Sequence, residues 1–224
     1  MIYTNSLLNQ KKCGYFQPKA KSIAMEEGII LHMYFSNQQP QKVGSRYGSY
    51  YRGKFEPFTF SHNFQYLETI ANEFKSKNPT YFSHEWKHEC EYTAPIRFGL
   101  YEYEISGIMD LVKIDGSAAE IGDFKTGQTV VDTNSIDSCF QAVLYSYLLL
   151  DKHKEVDTVT FSYIYTAIDI VKQISFSRTD IETLRFYIIM RIAIAESVGY
   201  KDGSHCAYCA KLTSCPIMLE KIER

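Results

Sequence analysis

The sequence predicts an α/β protein in which a central mixed β-sheet is flanked by helices. Three observations carry this expectation. Between His88 and Gly127 the apolar residues follow the two-residue period of strands, interrupted by the Asp115-Gly116 turn signal. From Ser135 to Leu150 the period becomes helical, with Ile136, Phe140, Val143, Leu144, Tyr147 and Leu148 on one face. Two further strand-like stretches, 158–166 and 168–176, then lead into a long apolar helix that starts behind a Thr179/Glu182 capping box.

Taken in order, residues 4–12 and 19–36 read as helices, the second placing Gly28 and His32 one turn apart on one face. Residues 37–84 mix Gly, Pro, Tyr and Phe around one expected helix at 61–77 and read as an insert. The strands are expected at HECEYTA (88–94), IRFGLYEYEIS (96–106), GIMDLVKID (107–115) and AAEIGDFKTG (118–127). Together these predict a single domain over 1–224. It comprises amino-terminal helices (1–36), the insert, a core (85–176) and a final helix followed by cysteines (177–224).

At 45% hydrophobic and 22% charged residues the composition is that of an ordinary globular protein, which excludes disordered and fibrous classes. A net charge of −2 supplies no global positive field, yet phosphate contacts need only a local basic groove. The amino terminus has no basic stretch before an apolar core, and no apolar run approaches the ~18 residues of a membrane span. A soluble, cytoplasmic protein without a membrane partner is therefore expected. In that compartment the six cysteines argue against a disulfide framework.

The chemistry concentrates in two constellations. Asp110 and Asp123 fall on neighbouring strands joined by the tight turn, so their carboxylates are expected side by side where the strands diverge. Two carboxylates are what a hard divalent cation such as Mg²⁺ requires from protein. Lys125, two residues beyond Asp123, points to the same face, where an ammonium can stabilise a developing phosphorane or an attacking hydroxide. Thr126 and Gly127 follow, and the next helix offers Gln141 and Tyr145 one turn apart. The ordered set GxxxH (Gly28 to His32), GxxD (Gly107 to Asp110), DxKTG (Asp123 to Gly127) and QxxxY (Gln141 to Tyr145) resembles the RecB-like branch of the PD-(D/E)XK nucleases. That branch includes the AddB nuclease domain and the small CRISPR-associated exonucleases. The resemblance implies a restriction-endonuclease-like fold and a Mg²⁺ or Mn²⁺ site made by His32, Asp110 and Asp123. It also implies catalytic roles for Asp110, Asp123 and Lys125, with Gln141 and Tyr145 orienting Lys125 or the substrate strand. Glu91, on the strand before Asp110, is a candidate outer carboxylate.

The second constellation is Cys206-x2-Cys209-x5-Cys215-Pro216, short enough for one loop to wrap a metal or a cluster. On softness grounds thiolates suit zinc and iron–sulfur iron about equally. The resemblance implies a 4Fe-4S cluster, with Cys13 as fourth ligand tying the two ends of the chain together. The alternative is a zinc knuckle completed by His205 or Cys90. Cys90 and Cys139 read as small buried hydrophobes. Two features depart from the family pattern: Gly14 follows Cys13 where proline is common, and the strand before Asp123 lacks a long apolar run.

These readings point to a metal-dependent DNA nuclease, an exonuclease on single-stranded DNA or DNA ends. Such an enzyme would belong to a repair, CRISPR-adaptation or viral replication complex of prokaryotic, viral or mobile-element origin. The alternatives are a non-catalytic DNA-binding or assembly module on the same fold, and a zinc-stabilised interaction domain. In the insert, Tyr47, Tyr50, Tyr51, Phe55, Phe58 and Phe60 with Arg46, Arg52 and Lys54 could stack bases and track phosphates, or the aromatics could pack the insert on the core.

Overall fold

The computed structural model describes residues 2–4, 22–51, 54–98, 100–134 and 139–196. The main sheet has six strands: β1 (Ile2–Thr4), β5 (Lys87–Phe98), β6 (Tyr101–Asp115), β7 (Ala118–Lys125), β8 (Thr158–Tyr165) and β9 (Ile170–Ser177). It is mixed. β1 runs parallel to β6 and β8 parallel to β7, whereas β5, β6 and β7 form an antiparallel meander and β9 returns antiparallel to β8. The β7–β8 crossover is helix α3 (Phe140–Lys152), as a parallel pair requires. Helices α1 (Ile23–Phe35), α2 (Phe64–Lys77) and α4 (Ile181–Glu196) complete the flanking layers. Three short strands, β2 (Gln41–Val43), β3 (Arg46–Tyr51) and β4 (Lys54–Pro57), form a separate antiparallel sheet.

Both faces of the main sheet are covered, as parallel pairs demand. On one face α3 and α4 pack over Ile105, Met109, Val112, Ile121, Phe161 and Tyr163. Helix α3 is buried from Ala142 through Leu150, so it lies at the centre of this layer rather than presenting one stripe. The Arg178 guanidinium closes its end and the loop beyond, donating to Leu150 O (3.2 Å) in the last turn, His153 O (2.6 Å) at the C-cap and Val156 O (2.8 Å) in the loop. On the other face α1 and α2 bring Ile30, Tyr34, Phe35, Leu67 and Phe74 against Leu111, Phe124 and Ile164.

The alternation of β6 breaks at Asp110. Strict pleating would put residues 109 and 111 on one face. Instead Met109 joins the α3–α4 core, Leu111 the α1–α2 core, and Val112 the α3–α4 core again. Opposite, between the pairs His88↔Leu111 and Cys90↔Met109, Glu89 has a left-handed φ of 51°. Local irregularities of this kind re-aim side chains and collect beside active sites. β1 pairs with residues 104–106 of β6 and β7 with residues 111–115, so among the described strands residues 107–109 are paired only with β5, and Asp110 has no registered pair in any of them.

Several expectations are corrected. Residues 2–4 form a strand where a helix was expected from residue 4; residues 5–12 lie outside the described ones. Helix α1 begins at Ile23, where Ser22 accepts from Met25 N (3.2 Å), and α2 begins at Phe64, where Asn63 caps Tyr66 N (3.1 Å). The expected break between strands at Ser106-Gly107 does not exist. β6 runs through it for 15 residues, and the hairpin falls instead between Phe98 and Tyr101. The box before α4 is Ser177/Asp180, not Thr179/Glu182, with Asp180 Oδ2 accepting from Ser177 N (2.7 Å) around the turn Arg178–Asp180. Cys139 is buried as expected and Cys90 is half-buried. Cys13, His205, Cys206, Cys209 and Cys215, and with them the proposed junction of the chain ends, lie outside the described residues. No helix among the described residues is long and apolar enough to cross a membrane.

Candidate active site

The site forms where β6 and β7 part. Their pairing ends at Leu111↔Gly122, so the next step of the register would oppose Asp110 and Asp123. There the backbone bond is replaced: Phe124 N donates to Asp110 Oδ2 at 2.7 Å. From α1, His32 Nδ1 approaches the same oxygen at 3.3 Å. Burial pulls the His32 imidazole down, but Asp110 above all, helped by Asp123 and Glu89, outweighs it and lifts the pKa to about 9. A cation taking this nitrogen must displace a proton.

On the α3 side, Asp123, Lys125 and Gln141 form a closed triangle. Gln141 Nε2 donates to Asp123 Oδ1 (2.6 Å), Lys125 Nζ donates to Gln141 Oε1 (2.7 Å), and Lys125 Nζ stands 2.7 Å from Asp123 Oδ2. One amide therefore presents opposite ends to the carboxylate and the ammonium. Lys125 Nζ also lies 5.5 Å from the centroid of the Tyr163 ring. Burial pushes the Asp123 carboxyl up, Lys125 draws it down, and Asp110 pushes it up again, so it sits above its ordinary value.

Two glycines of the sequence motifs explain themselves by close approach. A Cβ on Gly28 would lie 2.9 Å from Thr126 Oγ1, so the GxxxH helix seats directly on the DxKTG strand end. A Cβ on Gly107 would lie 2.5 Å from Tyr145 Cε1, which makes the GxxD glycine the floor for the tyrosine of QxxxY. Tyr145 is buried, with its ring 6.1 Å from that of Phe161.

A cleft of about 880 Å³ opens beside His32 and Asp110. One wall is α1, with Gly28 and Met25; the other is the small sheet, through Ser49, Tyr50 and Glu56. Glu89 also lines it, where its Oε1 accepts from Ser36 Oγ at 2.8 Å. Partial burial pushes the Glu89 carboxyl up and Ser36 pulls it down, with a net rise to which Asp110 contributes. Glu89 thus lines the cleft beside Asp110, one strand position from Cys90 and two from the candidate Glu91.

Among the described residues no group of three or more His, Cys, Asp or Glu side chains is closely enough arranged to hold a metal ion. The donor types nevertheless suit a divalent cation. Asp123 Oδ2 is buried and faces the Lys125 ammonium at 2.7 Å without a directed hydrogen bond. His32, Asp110 and Asp123 also lie within one electrostatic field, since both carboxylates raise the imidazole pKa and Asp110 raises that of Asp123.

A mixed sheet with helices on both faces, its diverging strands bearing D and DxK, defines the class of nuclease folds to which such sites belong. Over residues 35–216 the chain matches the PD-(D/E)XK nuclease superfamily, and it belongs to that superfamily. The matched span includes the insert and starts just past His32. Among solved structures it is similar to SSO0001, with 17% identity over 69% of this chain and 71% of that one and a TM-score of 0.44. A protein described as a candidate exonuclease from Eubacterium rectale is 11% identical over 91% of this chain and 76% of that one, with a TM-score of 0.47. No curated protein matches the chain.

Proposed function

We propose that this chain is a RecB-like deoxyribonuclease that hydrolyses phosphodiesters with Mg²⁺ or Mn²⁺ held by His32, Asp110 and Asp123. The observation that carries the reading is the triangle of Asp123, Lys125 and Gln141. A solvated lysine beside a strand-end aspartate needs no such device, whereas a catalytic ammonium must be held to within fractions of an ångström. Held by His32, Asp110 and Asp123, a divalent cation would supply an activated water and polarise a phosphoryl oxygen. Asp110, fixed by the Phe124 amide, and Asp123, fixed by Gln141, hold their carboxylates ready to bind it. Lys125, its Nζ set by Gln141, neutralises charge on the phosphorane. Tyr145 supports the floor at Gly107, and the surrounding core excludes bulk water from the Asp123 side.

The same resemblance supports a 4Fe-4S cluster on Cys13, Cys206, Cys209 and Cys215, with DNA ends or single strands as substrate. Purified protein with Mn²⁺ should shorten end-labelled single-stranded DNA, and Lys125→Ala should stop it. Iron and sulfide in equal amounts in brown protein would support the cluster, and stoichiometric zinc in colourless protein would replace it. The compact triangle, already complete without an ion, favours one second reading: a non-catalytic module on the same fold. That reading takes over if wild type and Lys125→Ala are equally inert and Mn²⁺ leaves the melting temperature unmoved.

A further inference from the structure

The small sheet β2–β4 is the part of the molecule that the proposed chemistry leaves unused, yet it forms one wall of the catalytic cleft. We propose that it is the arm that receives the substrate strand, with the Tyr50 ring stacking on an unpaired base of a single-stranded polynucleotide. This rests on the nuclease reading and names its substrate form.

Four facts converge on Tyr50. Its side chain is exposed, 56% accessible, and lines the cleft together with His32 and Asp110. It is braced from behind by Phe55 across the β3–β4 pair, with ring centroids 5.5 Å apart. The backbone beneath is closely packed, since a Cβ on Gly48 would meet Glu56 O at 2.3 Å, and Tyr50 sits on a paired strand of that sheet. Finally, residues 41–57 contain Lys42, Arg46, Arg52 and Lys54 against Glu56 alone, a basic island in a chain whose net charge is −2.

The distribution of charge decides which part of the nucleotide meets the tyrosine. Glu56, paired with Ser49 beside Tyr50, lines this wall of the cleft, which disfavours a phosphate there. A base carries no such charge and gains the stacking contact. The exposed cations Lys42, Arg46 and Lys54 are then left for phosphates further along the strand. A duplex hides its base faces inside the helix and cannot make this contact, so the arrangement selects unpaired substrate.

The arm is also fixed relative to the site. Glu26, fully buried on α1, accepts from Thr59 N (2.7 Å) and Phe60 N (3.1 Å) and meets His62 Nε2 at 2.9 Å, clamping the segment that follows β4 to the helix that carries His32.

The test is binding of a fluorescein-labelled oligodeoxythymidine of about 12 nucleotides, followed by anisotropy in EDTA so that no cleavage intervenes. Tyr50→Ala should weaken it roughly tenfold, the loss expected for one stacked base, and Tyr50→Phe should restore it. Lys54→Gln should lower the salt dependence by about one phosphate contact while Tyr50→Ala leaves that dependence alone. A blunt duplex of the same length should bind more weakly than the single strand to wild type. Equal affinity of wild type and Tyr50→Ala, with both proteins melting cooperatively, overturns the proposal, as does tighter binding of the duplex. Hydrolysis of bis(p-nitrophenyl) phosphate by wild type with Mn²⁺ is read separately. Its absence would end the nuclease reading while the binding data still decide what the arm holds.

Discussion

Tyr145 occupies the space that a side chain on residue 107 would need, its Cε1 standing 2.5 Å from where a Cβ would be. Two motifs 34 positions apart by number are in this sense one contact, and neither residue can be understood without the other.

Gly107→Ala should therefore destabilise the protein by about 1–3 kcal/mol, the usual cost of overpacking a close-packed core. Urea denaturation measures this. The double variant Gly107→Ala/Tyr145→Leu should recover part of the loss. Strictly additive single effects would show that the ring and the glycine do not communicate.

Gln141→Leu removes the amide that holds both Asp123 and Lys125. Leaving Asp123 Oδ1 without its donor in a buried site should cost roughly 1–3 kcal/mol of stability. Cleavage should fall about 100-fold, on the scale of losing one preorganised polar group. Titration with Mn²⁺ followed by EPR should show affinity within a few fold of wild type. A large loss of Mn²⁺ affinity with unchanged turnover at saturation would put Gln141 in cation binding and not in the positioning of Lys125.

Acid should uncover the Glu26 clamp. Burial raises the Glu26 carboxyl, but the Thr59 and Phe60 amides and His62 outweigh it and hold the pKa at about 2, against an ordinary 4.5. A depressed folded-state value means that the group stabilises the fold above about 4.5 and loses that contribution as the pH falls through about 2. The stability gap between wild type and Glu26→Gln, measured by urea unfolding, should be constant above pH 4.5 and close between there and pH 2. A gap independent of pH would mean that the carboxylate charge contributes nothing.

Glu89→Gly should make the protein more stable and less active. Relieving a left-handed φ of 51° on a non-glycine residue returns about 1 kcal/mol. At the same time the cleft loses a carboxylate beside Asp110. Melting temperature and cleavage rate should move in opposite directions; a lower melting temperature would show that Ser36 and the cleft depend on the glutamate for structure.

The antiparallel pairing of β6 with β7 and the crossover helix were legible because strong periodicity and a tight turn dictate them, and that turn also brings Asp110 and Asp123 together; Lys125 and Gln141 were singled out by the resemblance of the ordered motifs. Gly107 misled, since a glycine inside an apolar run looks like a strand break when its purpose is to admit a ring from another element. The strands β2 and β4 escaped because they are short and largely exposed, and an exposed strand has no apolar alternation to betray it. Glu89 escaped for a different reason: backbone handedness at one residue leaves no trace in a pattern of polar and apolar letters. The Ser177/Asp180 box lost to Thr179/Glu182 because the glutamate version is the commoner signature, while the chain turns two residues earlier.

Helix α1 carries Glu26 and His32 on a single rigid rod, six residues or about 9 Å apart along its axis. One end holds residues 59, 60 and 62, beyond β4, and the other reaches Asp110. A substitution that shifts the segment held by Glu26 should therefore displace the His32 imidazole as well.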